Sequence, residues 1–251
     1  MRRLGDVLLD VRVTGDGPAV AFAHSLGTDL RMWDPLLDRL SCRAIRYDIR
    51  GHGLSPRMAG SLDDHATDLA ALLDAHAPEG AVVVGVSVGG MIAQALAATR
   101  PDLVHALVLS NTGLQVGTAQ GWAARIAAVE AGGVKAVAGD VTAAWFPQAW
   151  RDANPDAAEG WRTMLGRQNA RGYADLCRAL ADADLTADAG RIACPTLCVG
   201  GTGDGSTPPD VVERLAAAIP GARLAMIDGA GHLPMLDATD RFSELLRGEL
   251  A

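Results

Sequence analysis

The chain has 251 residues, 49% of them hydrophobic and 21% charged, which suits one sizeable α/β domain of ordinary globular composition. A formal net charge of −8 argues against nucleic acid, whose binders show a basic face, yet it does not exclude an anionic substrate, because the local field decides that. No apolar run reaches the length of a signal peptide or a membrane span, so a cytoplasmic protein that avoids membranes is expected.

In chain order, residues 7–13 alternate at their end and predict an edge strand. Residues 19–24 predict a strand running into a glycine-containing loop, and residues 43–47 the next strand. Residues 62–76 carry Leu62, Ala66, Leu69, Leu72 and Leu73 at helical spacing. Residues 81–86 form a continuous apolar run, as in a strand covered on both faces. An apolar helix over 91–98 closes at Arg100-Pro101, and 106–109 is the next strand. The strand rhythm stops after Thr112 and resumes at 196–200 and 223–227; an amphipathic helix covers roughly 241–250. Such alternation predicts a mostly parallel sheet with helices on both faces.

Residues 113–190 are helical in pattern and read as an insert over the sheet's C-terminal edge, where open α/β sheets bind ligands. The core is then 1–112 with 191–251. Most of the aromatics fall in the insert: Trp122, Trp145, Phe146, Trp150, Trp161 and Tyr173. Most of them are expected to form the insert's own small core, with one or two lining a pocket. Cys42, Cys177, Cys194 and Cys198 show no metal-ligand spacing and read as small buried hydrophobes in a reducing compartment.

The strongest chemical signal is Gly85-Val86-Ser87-Val88-Gly89, between a buried strand and an apolar helix. A serine exposed on a sharp strand-to-helix turn needs neighbours without side chains at minus two and plus two. The following helix points its N-terminus at the nucleophile and favours developing negative charge. Two partners are needed downstream, acid before histidine. Asp204 follows a strand in Gly200-Gly201-Thr202-Gly203-Asp204, and His232 follows the last strand in Gly229-Ala230-Gly231-His232. His232 would take and return the serine proton, and Asp204 would fix its tautomer. Asp228 lies on the strand side of its turn, and Asn111, at an alternative acid position, carries no charge. His52 reads as structural, and His65, His76 and His105 as surface residues. The backbone N–H groups of Val88 and Leu26 are expected to form the oxyanion hole, with His24 as a brace. No metal cluster, Walker loop or dinucleotide fingerprint appears, so no cofactor or metal is expected.

Taken together, several segments resemble the bacterial 3-oxoadipate enol-lactonases, a family with the α/β-hydrolase fold. They are His24-Ser25-Leu26-Gly27-Thr28-Asp29-Leu30-Arg31-Met32-Trp33, Tyr47-Asp48-Ile49-Arg50-Gly51-His52-Gly53, the serine turn, Ser110-Asn111-Thr112, Ala144-Trp145-Phe146-Pro147, Gly172-Tyr173-Ala174, Asp182-Ala183-Asp184-Leu185, Asp204-Gly205-Ser206-Thr207-Pro208 and the His232 loop. The resemblance implies a helical cap inserted after the sixth strand, and hydrolysis of 3-oxoadipate enol-lactone in aromatic-compound breakdown. It implies a small carboxylated lactone as partner and a monomer or homodimer. The substrate carboxylate needs a cation or several donors. Arg31, Arg125, Arg151, Arg162, Gln168 and the Trp145 indole are candidates, with Ser25 also placed near the substrate. A general carboxylesterase or perhydrolase, or a carbon–carbon hydrolase, would use the same three residues. A non-catalytic ligand receptor is the remote alternative.

Overall fold

The computed structural model describes residues 1–250. Its strands are β1 (Arg2–Leu4), β2 (Val7–Leu9), β3 (Val11–Thr14), β4 (Ala19–Ala23), β5 (Arg43–Tyr47), β6 (Ala81–Val86), β7 (Val104–Ser110), β8 (Thr196–Gly201) and β9 (Arg223–Ile227). Seven of them form one sheet in the order β3-β5-β4-β6-β7-β8-β9. Only β3 runs antiparallel. β6 and β8 are buried at every residue, which is why β6 is an unbroken apolar run and β8 has no polar side chain after Thr196.

The N-terminal edge differs from the expectation of one strand over residues 7–13. Gly5, at φ 59°, opens a tight turn that folds β2 back on β1 as a separate hairpin. The chain then breaks at Asp10, and only β3 joins the large sheet.

The helices are α1 (Asp34–Leu37), α2 (Leu62–His76), α3 (Val88–Thr99), α4 (Ala119–Gly132), α5 (Ala138–Trp145), α6 (Gln148–Ala153), α7 (Pro155–Gly166), α8 (Ala170–Asp182), α9 (Thr186–Ala189), α10 (Pro209–Ala218), α11 (Pro234–Asp237) and α12 (Thr239–Glu249). Ser61 starts α2 with a capping box: its hydroxyl accepts from Asp64 N–H, and the Asp64 carboxylate accepts from Ser61 N–H at 2.7 Å. α10 is not legible in the sequence as a separate helix, because it opens on Pro208-Pro209 and its apolar stripe is short. Among the described residues, no helix is long and apolar enough to cross a membrane.

Helices α4 to α9 lie between β7, the fifth strand of the large sheet, and β8. They sit close on the core: a Cβ on Gly172 of α8 would lie 2.3 Å from the Gly51 carbonyl oxygen in the loop after β5. β4 lies between β5 and β6, so the chain leaves β4 in one direction and returns on its other side. That reversal opens a crevice at the C-terminal ends of β4 and β6, where Ala23 pairs with Gly85.

Candidate active site

Ser87 stands at the N-terminus of α3 with φ 57° and ψ −122°. The only other described non-glycine residue at positive φ is Asn111, also at this site. Such backbone costs on the order of 1–3 kcal/mol and persists only where the surroundings hold it. Here Ser87 N–H donates to the Ser110 carbonyl at 3.0 Å, and the Thr112 hydroxyl donates to the Ser87 carbonyl at 2.7 Å. The flanking glycines are required by space. A Cβ on Gly85 would lie 2.3 Å from the Gly89 carbonyl oxygen, and one on Gly89 2.1 Å from that of Ala23.

Asp204 and His232 come from the loops after β8 and β9. His232 Nδ1 lies 2.8 Å from Asp204 Oδ2, and both residues are buried. The carboxylate also accepts from Asn111 Nδ2 at 2.8 Å, from Thr207 Oγ1 at 2.5 Å, and from the N–H groups of Ser206 and Thr207 at 2.7 and 3.0 Å. Burial works against its charge, but the neighbouring His232 and the hydrogen bonds from His232, Thr207 and Asn111 outweigh it. The net effect holds the carboxyl below its ordinary range. With Asp204 ionised as acceptor, Nδ1 carries a proton and the Nε2 lone pair is left free.

Ser25 and Leu26 follow β4 and are braced from behind. His24 Nε2 accepts from Ile49 N–H at 2.9 Å, so Nδ1 bears the proton and donates to the Ser25 carbonyl at 2.8 Å. Burial lowers the pKa of His24, which keeps the ring neutral and suits that tautomer. Asp48 secures the adjoining loops by accepting from the N–H groups of Leu30 and Leu54 at 2.8 and 2.7 Å.

Ser25, Leu26, Ser87 and His232 line one cavity of about 190 Å³, closed on the insert side by Trp122, Arg125, Trp145 and Tyr173. Ser87 and His232 meet across this space, with no hydrogen bond between them; such contacts commonly tighten only when substrate is bound.

Two of the residues expected near the substrate lie elsewhere. Arg31 and Gln168 line a separate open cleft of about 970 Å³ that contains none of Ser87, Asp204 and His232. Arg31 is held by the Asp29 carboxylate through Nε at 2.8 Å and Nη2 at 2.7 Å. Gln168 accepts from Gly53 N–H at 3.2 Å. Arg162 pairs with Glu159, and Arg151 donates to the Phe146 carbonyl and Gln148. Arg125 is the candidate cation that faces Ser87.

Of the other histidines, His65 is buried and not on the surface, because it shares the inward face of α2 with Leu62, Leu69 and Leu72. Burial pushes its pKa down to about 4, and that of His52 to about 3. His76 is half-buried and His105 exposed. Asp228 is exposed and accepts only from Thr202 Oγ1. Sequence reasoning missed Thr207 and Asp237. Thr207 is three residues after Asp204, a spacing at which a hydroxyl folds back on a turn acid. Asp237 Oδ2 accepts from Gly231 N–H at 2.7 Å, beside His232. Among the described residues, no group of three or more His, Cys, Asp or Glu could hold a metal ion.

The family model for the alpha/beta hydrolase fold matches residues 18–239. The chain is 32% identical to 3-oxoadipate enol-lactonase 1 of Acinetobacter baylyi over 96% of its own length and 92% of the relative's. It is 31% identical to a pimeloyl-[acyl-carrier protein] methyl ester esterase of Chromobacterium violaceum, over 96% and 98% of the two chains. The crystal structure of the enol-lactonase from Burkholderia xenovorans LB400 superposes with a TM-score of 0.94 at 31% identity, covering 98% of this chain and 97% of that one. With its family model matched over most of the chain and enol-lactonases among its near-full-length relatives, this protein belongs to the α/β-hydrolase fold family.

Proposed function

We propose that this hydrolase opens 3-oxoadipate enol-lactone to 3-oxoadipate through an acyl-enzyme on Ser87. The observation that carries the reading is the Asp204–His232 pair, joined at 2.8 Å and facing Ser87 across a cavity of about 190 Å³. The enol-lactonase relatives, aligned along nearly the whole chain, support the choice of substrate.

In this mechanism His232 Nε2 takes the proton of Ser87 as its oxygen attacks the lactone carbonyl. The N–H groups of Leu26 and Val88 hold the oxyanion; each such donor is typically worth ~10²–10³ in rate. The ring C–O bond breaks, and the enol oxygen leaves with the proton from His232. Tautomerisation of that enol to the ketone prevents re-closure. Water, deprotonated by His232, then attacks the acyl carbonyl and frees Ser87.

The test is loss of the ultraviolet absorbance of freshly generated enol-lactone, with a small p-nitrophenyl ester in parallel. Fast lactone turnover and slow ester turnover are expected, with kcat reduced by ~10⁴-fold or more in Ser87→Ala. An inert lactone with rapid ester cleavage would mean a general carboxylesterase on the same three residues. Unchanged activity in Ser87→Ala would remove Ser87 as nucleophile.

A further inference from the structure

The carbonyl oxygen of Ser25 accepts more hydrogen bonds than its two lone pairs call for. His24 Nδ1 donates to it at 2.8 Å, Thr28 N–H at 3.1 Å and the Thr28 hydroxyl at 2.8 Å. The bond from Thr28 N–H closes a turn over Ser25–Thr28, with Gly27 third in it at φ 78°, as a type II turn requires. The Thr28 hydroxyl has a single proton to give. Met32 Sδ lies 3.1 Å from it, but a carbonyl oxygen at 2.8 Å is a stronger acceptor than a thioether. His24 Nδ1 is also 3.3 Å from the hydroxyl oxygen, so ring, hydroxyl and carbonyl form one cluster, and both side chains are fully buried.

The other end of the same peptide group is Leu26 N–H. Leu26 is buried and lines the cavity that holds Ser87, and its N–H donates to no acceptor among the described residues. A buried N–H without a partner is rare and calls for a reason. Peptide resonance connects the two ends: hydrogen bonds to the oxygen draw electron density from the nitrogen and make the N–H a stronger donor. Such strengthening is roughly 10–30% per bond. The same bonds hold the peptide plane, so the N–H need not reorient when charge develops in front of it.

We propose that Thr28 is a positioning residue for the oxyanion hole, its hydroxyl loading the Ser25 carbonyl so that Leu26 N–H is fixed in direction and strengthened as a donor. The proposal rests on Ser87 as nucleophile and on Leu26 N–H as an oxyanion donor, not on the identity of the lactone. A neutral ester carbonyl gains little from a stronger donor, and the oxyanion gains most. Loss of the hydroxyl is therefore felt in kcat and in kcat/KM alike, with KM nearly unchanged.

The experiment reads kcat and KM on p-nitrophenyl acetate, and Ki for ethyl trifluoromethyl ketone as a reversible inhibitor. Ser87 adds to that ketone's carbonyl carbon, its oxygen becomes a stable oxyanion, and the serine proton stays on His232. Its Ki thus reports the hole without a leaving group. Thr28→Val keeps the side chain's shape and removes the hydroxyl. Its kcat should fall about tenfold with KM within about twofold of native, a part of the ~10²–10³ that a whole donor is worth. Its Ki should rise by a similar factor. Thr28→Ser keeps the hydroxyl without the methyl, and should recover most of the rate and of the inhibitor affinity at a lower melting temperature. A kcat within twofold of native in Thr28→Val, a loss confined to KM, an unmoved Ki, or equal falls in the two variants overturns the role of the hydroxyl. A native protein that neither cleaves the ester nor binds the ketone overturns Ser87 as nucleophile, and this inference with it. An inert lactone leaves the comparison intact, because neither probe is a lactone.

Discussion

The backbone N–H of His232 donates to the carbonyl oxygen of Trp145 at 2.8 Å. Beside it, Gly205 N–H donates to the Ala144 carbonyl at 3.2 Å. The last turn of α5 thus holds both the histidine loop and the acid loop. The insert shapes the cavity, and it also clamps the two loops that carry His232 and Asp204.

Gly231→Ala tests this clamp. Its Cβ would lie 2.3 Å from the Trp145 carbonyl oxygen, so the histidine loop and α5 must separate. A misplacement of about 1 Å can cost ~10² in rate, and a fall in kcat of that order is expected with the fold retained. Gly248→Ala, in the last turn of α12 with open space around it, should leave activity unchanged and be neutral or slightly stabilising. Native kcat in Gly231→Ala would show that the clamp is not needed.

Thr207→Val removes one donor from Asp204 while keeping the side chain's shape. A carboxyl lowered in the folded state adds stability that is complete above its unfolded value and is lost as pH falls through the lowered one. The variant should therefore be less stable by roughly 1.5–3 kcal/mol at about pH 7, and by less at about pH 2, below the unfolded carboxyl's value. Urea unfolding at the two pH values measures it; a gap independent of pH would place the hydroxyl's effect elsewhere.

Asp237 should behave in the opposite sense. Burial, with Asp204 nearby, pushes its carboxyl up to about 7, although Gly231 N–H donates to it. Its other oxygen has no partner. The folded chain then keeps a proton that the unfolded chain has lost, so this group's contribution falls as pH rises from about 4 to about 7 and is level beyond. Relative to the native protein, Asp237→Asn should gain stability between about pH 4.5 and about pH 8, by up to a few kcal/mol. Melting temperatures of both proteins at the two pH values check it, and a difference that stays constant counts against the raised carboxyl.

The sheet is legible in the sequence wherever a strand is covered on both faces, as in Ala81–Val86, because the chain there has no polar side to show. The serine turn is legible because its flanking glycines are demanded by contacts of 2.1–2.3 Å that no side chain survives. Asn111 is different. Its amide meets Asp204 across 93 residues, and nothing local marks it as the brace of a carboxylate. Helical spacing places Arg125 on a face of α4 without saying what that face meets. Arg31 could have been discounted, since Asp29 two residues earlier is within easy reach of its side chain. The break at Asp10 depends on a turn at Gly5 that competes with the alternation of residues 7–13.

The placement of the insert also governs how the chain comes off the ribosome. β7 pairs with β8, but roughly 85 residues lie between Ser110 and Thr196. At ~5–20 residues per second, synthesis of that stretch takes roughly 4–17 s. For that interval Val104–Ser110, buried apart from His105 in the finished fold, is an unfinished edge open to other nascent chains. The completed sheet ends instead on β3 and β9, which carry Arg12 and Arg223. The aggregation hazard is therefore confined to translation, where a chaperone or slower growth would raise the yield of a protein whose finished edges are guarded by charge.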